Sequence, residues 1–378
     1  MKCKGGRKMR KGLCGFFALL MLVLPVCGRT AAADAEYAAV LMEAQTGMVI
    51  DGVHADQQMP AGSQTKLMTV YLTAEAVAAR RLTMDTMITV PPAAEGTAGA
   101  TVWLRSGEQM SVQDLLKAVI IGNANDACAA LAYAVSGSED AFVMDMNAEA
   151  FTLGMRDTVF TDAAGLSAEN RTTPRDLALL CRALLRHECL TPMFTQRRDF
   201  LRDGATELVS ENELTRGYTG LLGLKAGHGD ASGYTLCAAA ERDHMRMIAV
   251  VLGSADADER FRIAKNLLAD GFSGYYVTTP DFSPEFIKPL RVHHGISSAV
   301  QPETGALCSI AAPKGQAFQT VIWLPEYVEA PVKKGQAIGS AAFYCGDSLL
   351  CEVSLTAAED IPRRGFRETL ALLLGALA

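Results

Sequence analysis

The chain has 378 residues, 42 acidic side chains against 35 basic ones, and a formal net charge of −7. An acidic surplus without a basic stripe excludes a nucleic-acid binder, because such binding rests on Lys and Arg against phosphate. The length fits two domains rather than one.

Lys2, Lys4, Arg7, Lys8 and Arg10 head the chain, an apolar run follows from Leu13 to Val26, and Ala31-Ala32-Ala33 closes it. A basic head, a short apolar middle and a small-residue exit describe a secretory signal peptide over residues 1–33. The apolar run is shorter than the ~20 residues that a membrane-spanning helix needs. Loss of this segment removes seven cations and no acid, taking the formal charge from −7 to −14. Cys3, Cys14 and Cys27 leave with it. Of the remaining cysteines, Cys128, Cys181 and Cys237 lie in apolar runs and read as small core residues. Cys345 and Cys351 flank Gly346-Asp347, a spacing open to pairing across a hairpin. No cysteine or histidine spacing matches a metal site, and the neighbours His293 and His294 point apart in a strand. No cofactor is implied.

Tyr37–Met42 and Met48–Ile50 read as a hairpin around Gly47. Helical periodicity follows in 66–80, 111–121, 126–136, 139–153 and 174–187. Strands return at Tyr234–Ala240 and Met245–Leu252, turning at Arg242-Asp243, and a helix over Asp258–Ala269 closes the unit. Strands at both ends with helices between predict an α+β domain with an antiparallel sheet, drawn as residues 34–276. Pro280, Pro284 and Pro289 mark a linker. Short β-rich runs then predict a small β-sandwich over 277–358. The tail, 359–378, is amphipathic. Phe366, Leu370, Leu373 and Leu377 form its stripe and Arg363, Arg364 and Arg367 stand at its start, which suits either a membrane surface or packing on the preceding domain.

Chemistry concentrates in Ser63-Gln64-Thr65-Lys66. On a helix, positions i and i+3 share a face, so the amine reaches the hydroxyl. Lysine serves as the base for a serine nucleophile only when burial or a second cation lowers its pKa. Read in isolation, the same four residues are better described as a capping serine with a solvated lysine one turn later. Two downstream segments offer the missing donors and cation: Gly122-Asn123-Ala124-Asn125-Asp126 at the start of a helix, and Leu224-Lys225-Ala226-Gly227-His228 before a strand.

Together these segments resemble the serine-type D-alanyl-D-alanine carboxypeptidases, the low-molecular-mass penicillin-binding proteins, whose motifs are Ser-x-x-Lys, Ser-x-Asn and Lys-Thr-Gly. Ala39–Gly47 is similar to the family's opening hairpin, Phe160-Thr161-Asp162 through Gly165-Leu166 to its loop after the second motif, and Gly223–His228 with Gly233-Tyr234 to its third motif and strand. The resemblance spans nearly the whole chain after residue 33. It implies a β-lactamase/transpeptidase-like fold with helices on both faces of the sheet, then the β-rich domain. It also implies Ser63 as acylated nucleophile, Lys66 as base, Lys225 as second cation and carboxylate binder, and the N–H groups of Ser63 and His228 as oxyanion hole, with Gly227 in the same strand. Asn125 would hold the substrate amide, and Arg260 would sit near the terminal carboxylate. The implied partners are a peptidoglycan stem peptide and β-lactams as acylating inhibitors, with exported localisation at the outer face of the cytoplasmic membrane or the cell wall.

Two positions depart from the family pattern. Asn123 stands where serine opens the second motif, and an amide cannot relay a proton as a hydroxyl does. Ala226 stands where threonine is usual, removing a hydroxyl whose hydrogen bond to a charged group is worth about 1.5–3 kcal/mol. These departures leave a catalytically impaired peptidoglycan- or penicillin-binding protein as the alternative, with a β-lactamase or endopeptidase further behind. Ser210-Glu211-Asn212 also spells Ser-x-Asn but breaks the family order.

Overall fold

The computed structural model describes residues 37–279, 287–305, 307 and 309–375. The expected signal peptide and the linker prolines Pro280 and Pro284 lie outside these residues.

A six-stranded antiparallel sheet organises the first part. Its strands are β1 (Ala38–Glu43), β2 (Val49–Val53), β3 (Leu221–Gly223), β4 (Ala226–Gly229), β5 (Gly233–Arg242) and β6 (Met245–Ser254). The order is β4-β5-β6-β1-β2, with β3 also pairing β5. Alternation decides the two faces. Val40, Met42, Cys237 and Ile248 join a core with the helices α1 (Thr65–Ala78), α2 (Val112–Ile120), α3 (Asn125–Ser136), α4 (Glu139–Leu153) and α5 (Pro174–Leu184). Ala39, Leu41, Ala238 and Met247 face the other way, onto Phe261, Ala264 and Leu268 of α6 (Ala257–Gly274). Helices therefore cover both faces.

Helix starts follow side-chain capping. Ser111, Ser138 and Thr173 accept the N–H groups of Asp114, Ala141 and Asp176, and Asp256 accepts two at the start of α6. Helix α6 runs five residues beyond the predicted Ala269. Gly271 lowers helix propensity, but it lies against Leu41 and Met247, and this packing outweighs propensity. The β5–β6 turn falls at Asp243-His244, one residue later than predicted. Both residues have positive φ (49° and 61°), as a type I′ hairpin turn requires, and Arg242 still pairs with Met245.

After α6 the chain becomes β-rich. Tyr275–Thr278 pairs with Ile310–Pro313. A four-stranded sheet runs in the order Pro302–Thr304, Ser348–Ala357, Ala337–Cys345, Phe318–Trp323, and a three-stranded sheet in the order Ala299–Val300, Leu290–His293, Tyr327–Glu329. Val292 and Val300 of the smaller sheet share a core with Ile338 and Ala357 of the larger, which makes a sandwich. Pairing of Cys345 with Cys351 does not occur. Cys345 stands opposite Ser348 while Phe343 stands opposite Cys351, so the register separates them; Cys345 is a free thiol and Cys351 is disulfide-bonded elsewhere.

Candidate active site

Ser63 lies in a single 3-10 turn, Gly62–Gln64, that leads into α1. Gly62 has φ +51°, and a Cβ there would stand 2.5 Å from Ser232 Oγ, so only glycine fits this bend. Lys66 follows in the first turn of α1 with 2 % of its surface exposed, which excludes a solvated lysine. Its Nζ donates to Ala164 O at 2.7 Å, and Thr69 Oγ1 donates to Ala163 O at 2.6 Å.

Asp162 holds those carbonyls in place. Its carboxylate accepts the N–H groups of Ala164 (2.8 Å), Leu166 (3.1 Å) and Ser167 (2.8 Å), that of Gly165, and Asn170 Nδ2 at 2.6 Å. Burial works to raise the Asp162 carboxyl, but these donors outweigh it and hold the group below the usual carboxylate range.

The loop between α2 and α3 supplies two amides. Asn123 has φ +58°, a left-handed conformation that asparagine tolerates better than most side chains. Its Nδ2 stands 3.5 Å from Ser63 Oγ, a long contact, and its Oδ1 is buried without a partner. Asn125 opens α3; its Nδ2 donates to Ala98 O at 2.6 Å, and its Oδ1 is likewise buried and unpartnered. Two acceptors are thus left over beside the serine. Next to them, Asp126 accepts the N–H groups of Val102 and Leu104. The residue between, Trp103, is held at φ +55° with 77 % of its surface exposed.

Strand β4 closes the other side. Gly227 presses on the nucleophile: a Cβ there would lie 2.4 Å from Ser63 Cβ. His228 stacks on Tyr234, with ring centroids 5.6 Å apart. Just before the strand, Lys225 is buried and its Nζ donates to Val119 O at 3.1 Å. Burial pushes both lysines below the ordinary range. For Lys225 the Lys66 charge adds to burial and brings it to about 7; for Lys66, Cys128, Asp162 and Glu211 partly oppose the burial effect. Repulsion between two ammonium groups is mutual, so this pair resists holding two protons at once. Lys225, the expected second cation, thus stands with Lys66 as one interacting pair that shares charge.

Two further positions stand away from the cleft lining. The Ala226 methyl is buried in one cluster with Leu214 and Leu236 on the α6 side of the sheet and is not among the side chains lining the cleft. Arg260 reaches from α6 to backbone: its Nη1 donates to Gly227 O and, at 3.2 Å, to Thr235 O. It braces β4 instead of lining the cleft.

The cleft itself has a volume of about 530 Å³. Ser63, Lys66, Asn123, Asn125 and His228 line it together; Lys225, Gly227 and Arg260 stand behind. Glu211 and Ser232 also line it, and neither was singled out as a site residue from the sequence. Glu211 sits inside the out-of-order Ser210-Glu211-Asn212. Asn212 is a structural cap there, with its Oδ1 accepting Leu214 N at 3.1 Å, while the acid between faces the cleft.

A family model described as D-alanyl-D-alanine carboxypeptidase matches residues 28–256, and one described as the C-terminal domain of penicillin-binding protein 5 matches residues 309–363. D-alanyl-D-alanine carboxypeptidase DacF of Bacillus subtilis is 31% identical over 344 residues, covering 89% of this chain and 88% of that protein. Penicillin binding protein 5 from Haemophilus influenzae superposes with a TM-score of 0.76 at 26% identity, over 86% of this chain and 97% of that one. Penicillin-binding protein D2 from Listeria monocytogenes, in its ampicillin-bound form, matches with a TM-score of 0.57 at 31% identity, over 62% of this chain and 96% of that one.

Proposed function

Because the chain belongs to the D-alanyl-D-alanine carboxypeptidase family, we propose that it removes the terminal D-alanine from peptidoglycan stem pentapeptides through an acyl-enzyme on Ser63. The observation that carries this reading is a serine one helical turn before a buried lysine, both lining one cleft, with a second buried lysine close enough to repel the first.

A neutral Lys66 takes the Ser63 proton as Oγ attacks the carbonyl of the penultimate D-alanine. The N–H groups of Ser63 and His228 receive the developing oxyanion. Lys66 then returns the proton to the departing amine, with Asn123 orienting rather than relaying it, since an amide has no transferable hydroxyl. Water releases the acyl group. The orphan Oδ1 of Asn125 accepts the substrate amide N–H, and Lys225 supplies charge toward the terminal carboxylate from behind the strand. Beta-lactams acylate the same serine.

Export by the segment 1–33 places this work outside the cytoplasm, at the cell wall. The tail helix α7 (Phe366–Gly375) leaves Phe366 80 % and Leu374 60 % exposed, which supports contact with a membrane surface. No helix among the described residues is long and apolar enough to cross a membrane. D-alanine release from a pentapeptide, measured for the wild type and Ser63→Ala, tests the activity. Release from both proteins, or from neither, rejects the proposal.

A further inference from the structure

A second hollow, about 930 Å³, opens where the β5–β6 turn, the end of α6 and the strand Tyr275–Thr278 meet. It is larger than the catalytic cleft and shares no lining residue with it. Three basic side chains line it, Arg242, His244 and Lys314, against one acid, Asp243. That balance is the reverse of the chain as a whole, whose net charge is −7. Arg242 Nε is buried without a hydrogen-bond partner. Its guanidinium lies 4.7 Å from the centroid of the Phe272 ring and 5.2 Å from that of Tyr218. Rings over a guanidinium hold its plane and leave the N–H edge as the binding face. Lys314 Nζ donates to Phe272 O at 2.8 Å, which occupies one of its three donors.

The Nε is itself enclosed, but Arg242 is only half-buried and lines the hollow beside Lys314, and a guanidinium with an ammonium group offers charge-assisted hydrogen bonds to which a carboxylate is suited. The rest of the lining is aromatic and hydroxylic: Tyr275, Tyr276, Ser273, Thr278 and Ser309. Aromatic faces pack on sugar or peptide C–H groups, and hydroxyls exchange hydrogen bonds with their polar groups. We propose that this hollow is a second, non-catalytic binding site for a carboxylate-bearing sugar–peptide fragment of the cell wall, anchored on Arg242 and Lys314. The choice of ligand rests on the cell-wall reading above. Bound there, a fragment tethers the enzyme to the polymer while Ser63 acts on another stem.

Calorimetric titration of the full chain, with Ser63 blocked by penicillin, against a soluble disaccharide-tetrapeptide tests the proposal. That ligand lacks the fifth-position D-alanine that the reaction removes and is not turned over. Saturable binding is expected, weakened at least tenfold by Arg242→Gln and by amidation of the ligand's carboxyls. D-alanine release from a short acyl-tripeptide by Arg242→Gln should match the wild type, which also reports folding. Lys314→Gln serves as the second variant if Arg242→Gln does not fold, with the same weakening expected. Binding unchanged in these variants, equal binding of the amidated ligand, or binding only to anionic phospholipid vesicles overturns the site. If Ser63 takes no penicillin and releases no D-alanine, the catalytic reading fails separately, and the same titration on Ser63→Ala still decides the hollow.

Discussion

Replacing Gly227 by alanine tests how tightly the nucleophile is held. The added Cβ would stand 2.4 Å from Ser63 Cβ and 2.9 Å from its Oγ. Ordinary carbon contacts begin near 3.4 Å, so Ser63 must retreat by about 1 Å. Neither side yields easily. Strand β4 is held to β5 through Gly227↔Thr235 and tied to α6 by Arg260, and Ser63 enters a buried helix through a bend that only glycine adopts. A misplacement of about 1 Å costs on the order of 100-fold in rate, equivalent to about 2.7 kcal/mol of barrier. Overpacking adds about 1–3 kcal/mol of destabilisation. The assay is the second-order rate of labelling by a fluorescent penicillin, with thermal melting in parallel. Gly274→Ala is the control, because a Cβ there meets nothing within 4 Å. Gly227→Ala is expected to fall about 100-fold or more while the control stays at the wild-type rate. Labelling by Gly227→Ala within about threefold of wild type refutes the reasoning.

The lysine pair makes two further predictions. Acylation needs a neutral amine, and burial together with mutual repulsion lowers both lysines, Lys225 to about 7, so the pair gains a proton as pH falls through that value. The labelling rate should therefore drop below pH 7, approaching tenfold per unit in more acidic buffer; a flat profile from pH 5 to 9 contradicts the shared charge. Stability moves the opposite way on removal of the amine. A lysine with a lowered folded pKa penalises the folded state fully below about pH 7, and the penalty fades as pH rises toward the unfolded value near 10.4. Lys225→Met should thus slow acylation yet raise the melting temperature, most at or below pH 7 and least near pH 10; destabilisation across that range counts against it. Asp162→Asn removes acceptor oxygen from a carboxylate that holds four backbone N–H groups. It should cost about 2–4 kcal/mol in denaturant melts at pH 7. The wild-type advantage should disappear as pH falls through the lowered Asp162 value. A loss under 1 kcal/mol rejects the role given to this loop.

What was legible in the sequence was local. The i, i+3 spacing of Ser63 and Lys66, the period-2 runs of β1, β5 and β6, and the periodicity of α1 to α5 all depend on neighbours within a turn or two. What escaped depends on contacts across the fold. Nothing near residue 226 tells which face of an edge strand it takes, so the significance of Ala226 changed once it was seen against Leu214. Arg260 carried a site expectation from its place in the family pattern; α6 packs on the opposite sheet face, and the guanidinium donates to Gly227 O of β4 and Thr235 O of β5. Glu211 reaches the cleft through a segment with no periodic signal. The Cys345–Cys351 pairing failed because register, not spacing, decides which residues face each other across a hairpin. The division of charge between Lys66 and Lys225 comes from residues 159 positions apart brought together by the fold, an energy that no local pattern encodes.

The central claim is that the Ser63 hydroxyl forms the covalent bond. Mass spectrometry of peptides from penicillin-treated protein measures it directly. One penicilloyl adduct is expected, on Ser63 within the Gly62–Lys66 stretch, absent from Ser63→Ala and strongly reduced by Lys66→Gln. An adduct on another residue, or full labelling of Ser63→Ala, contradicts it.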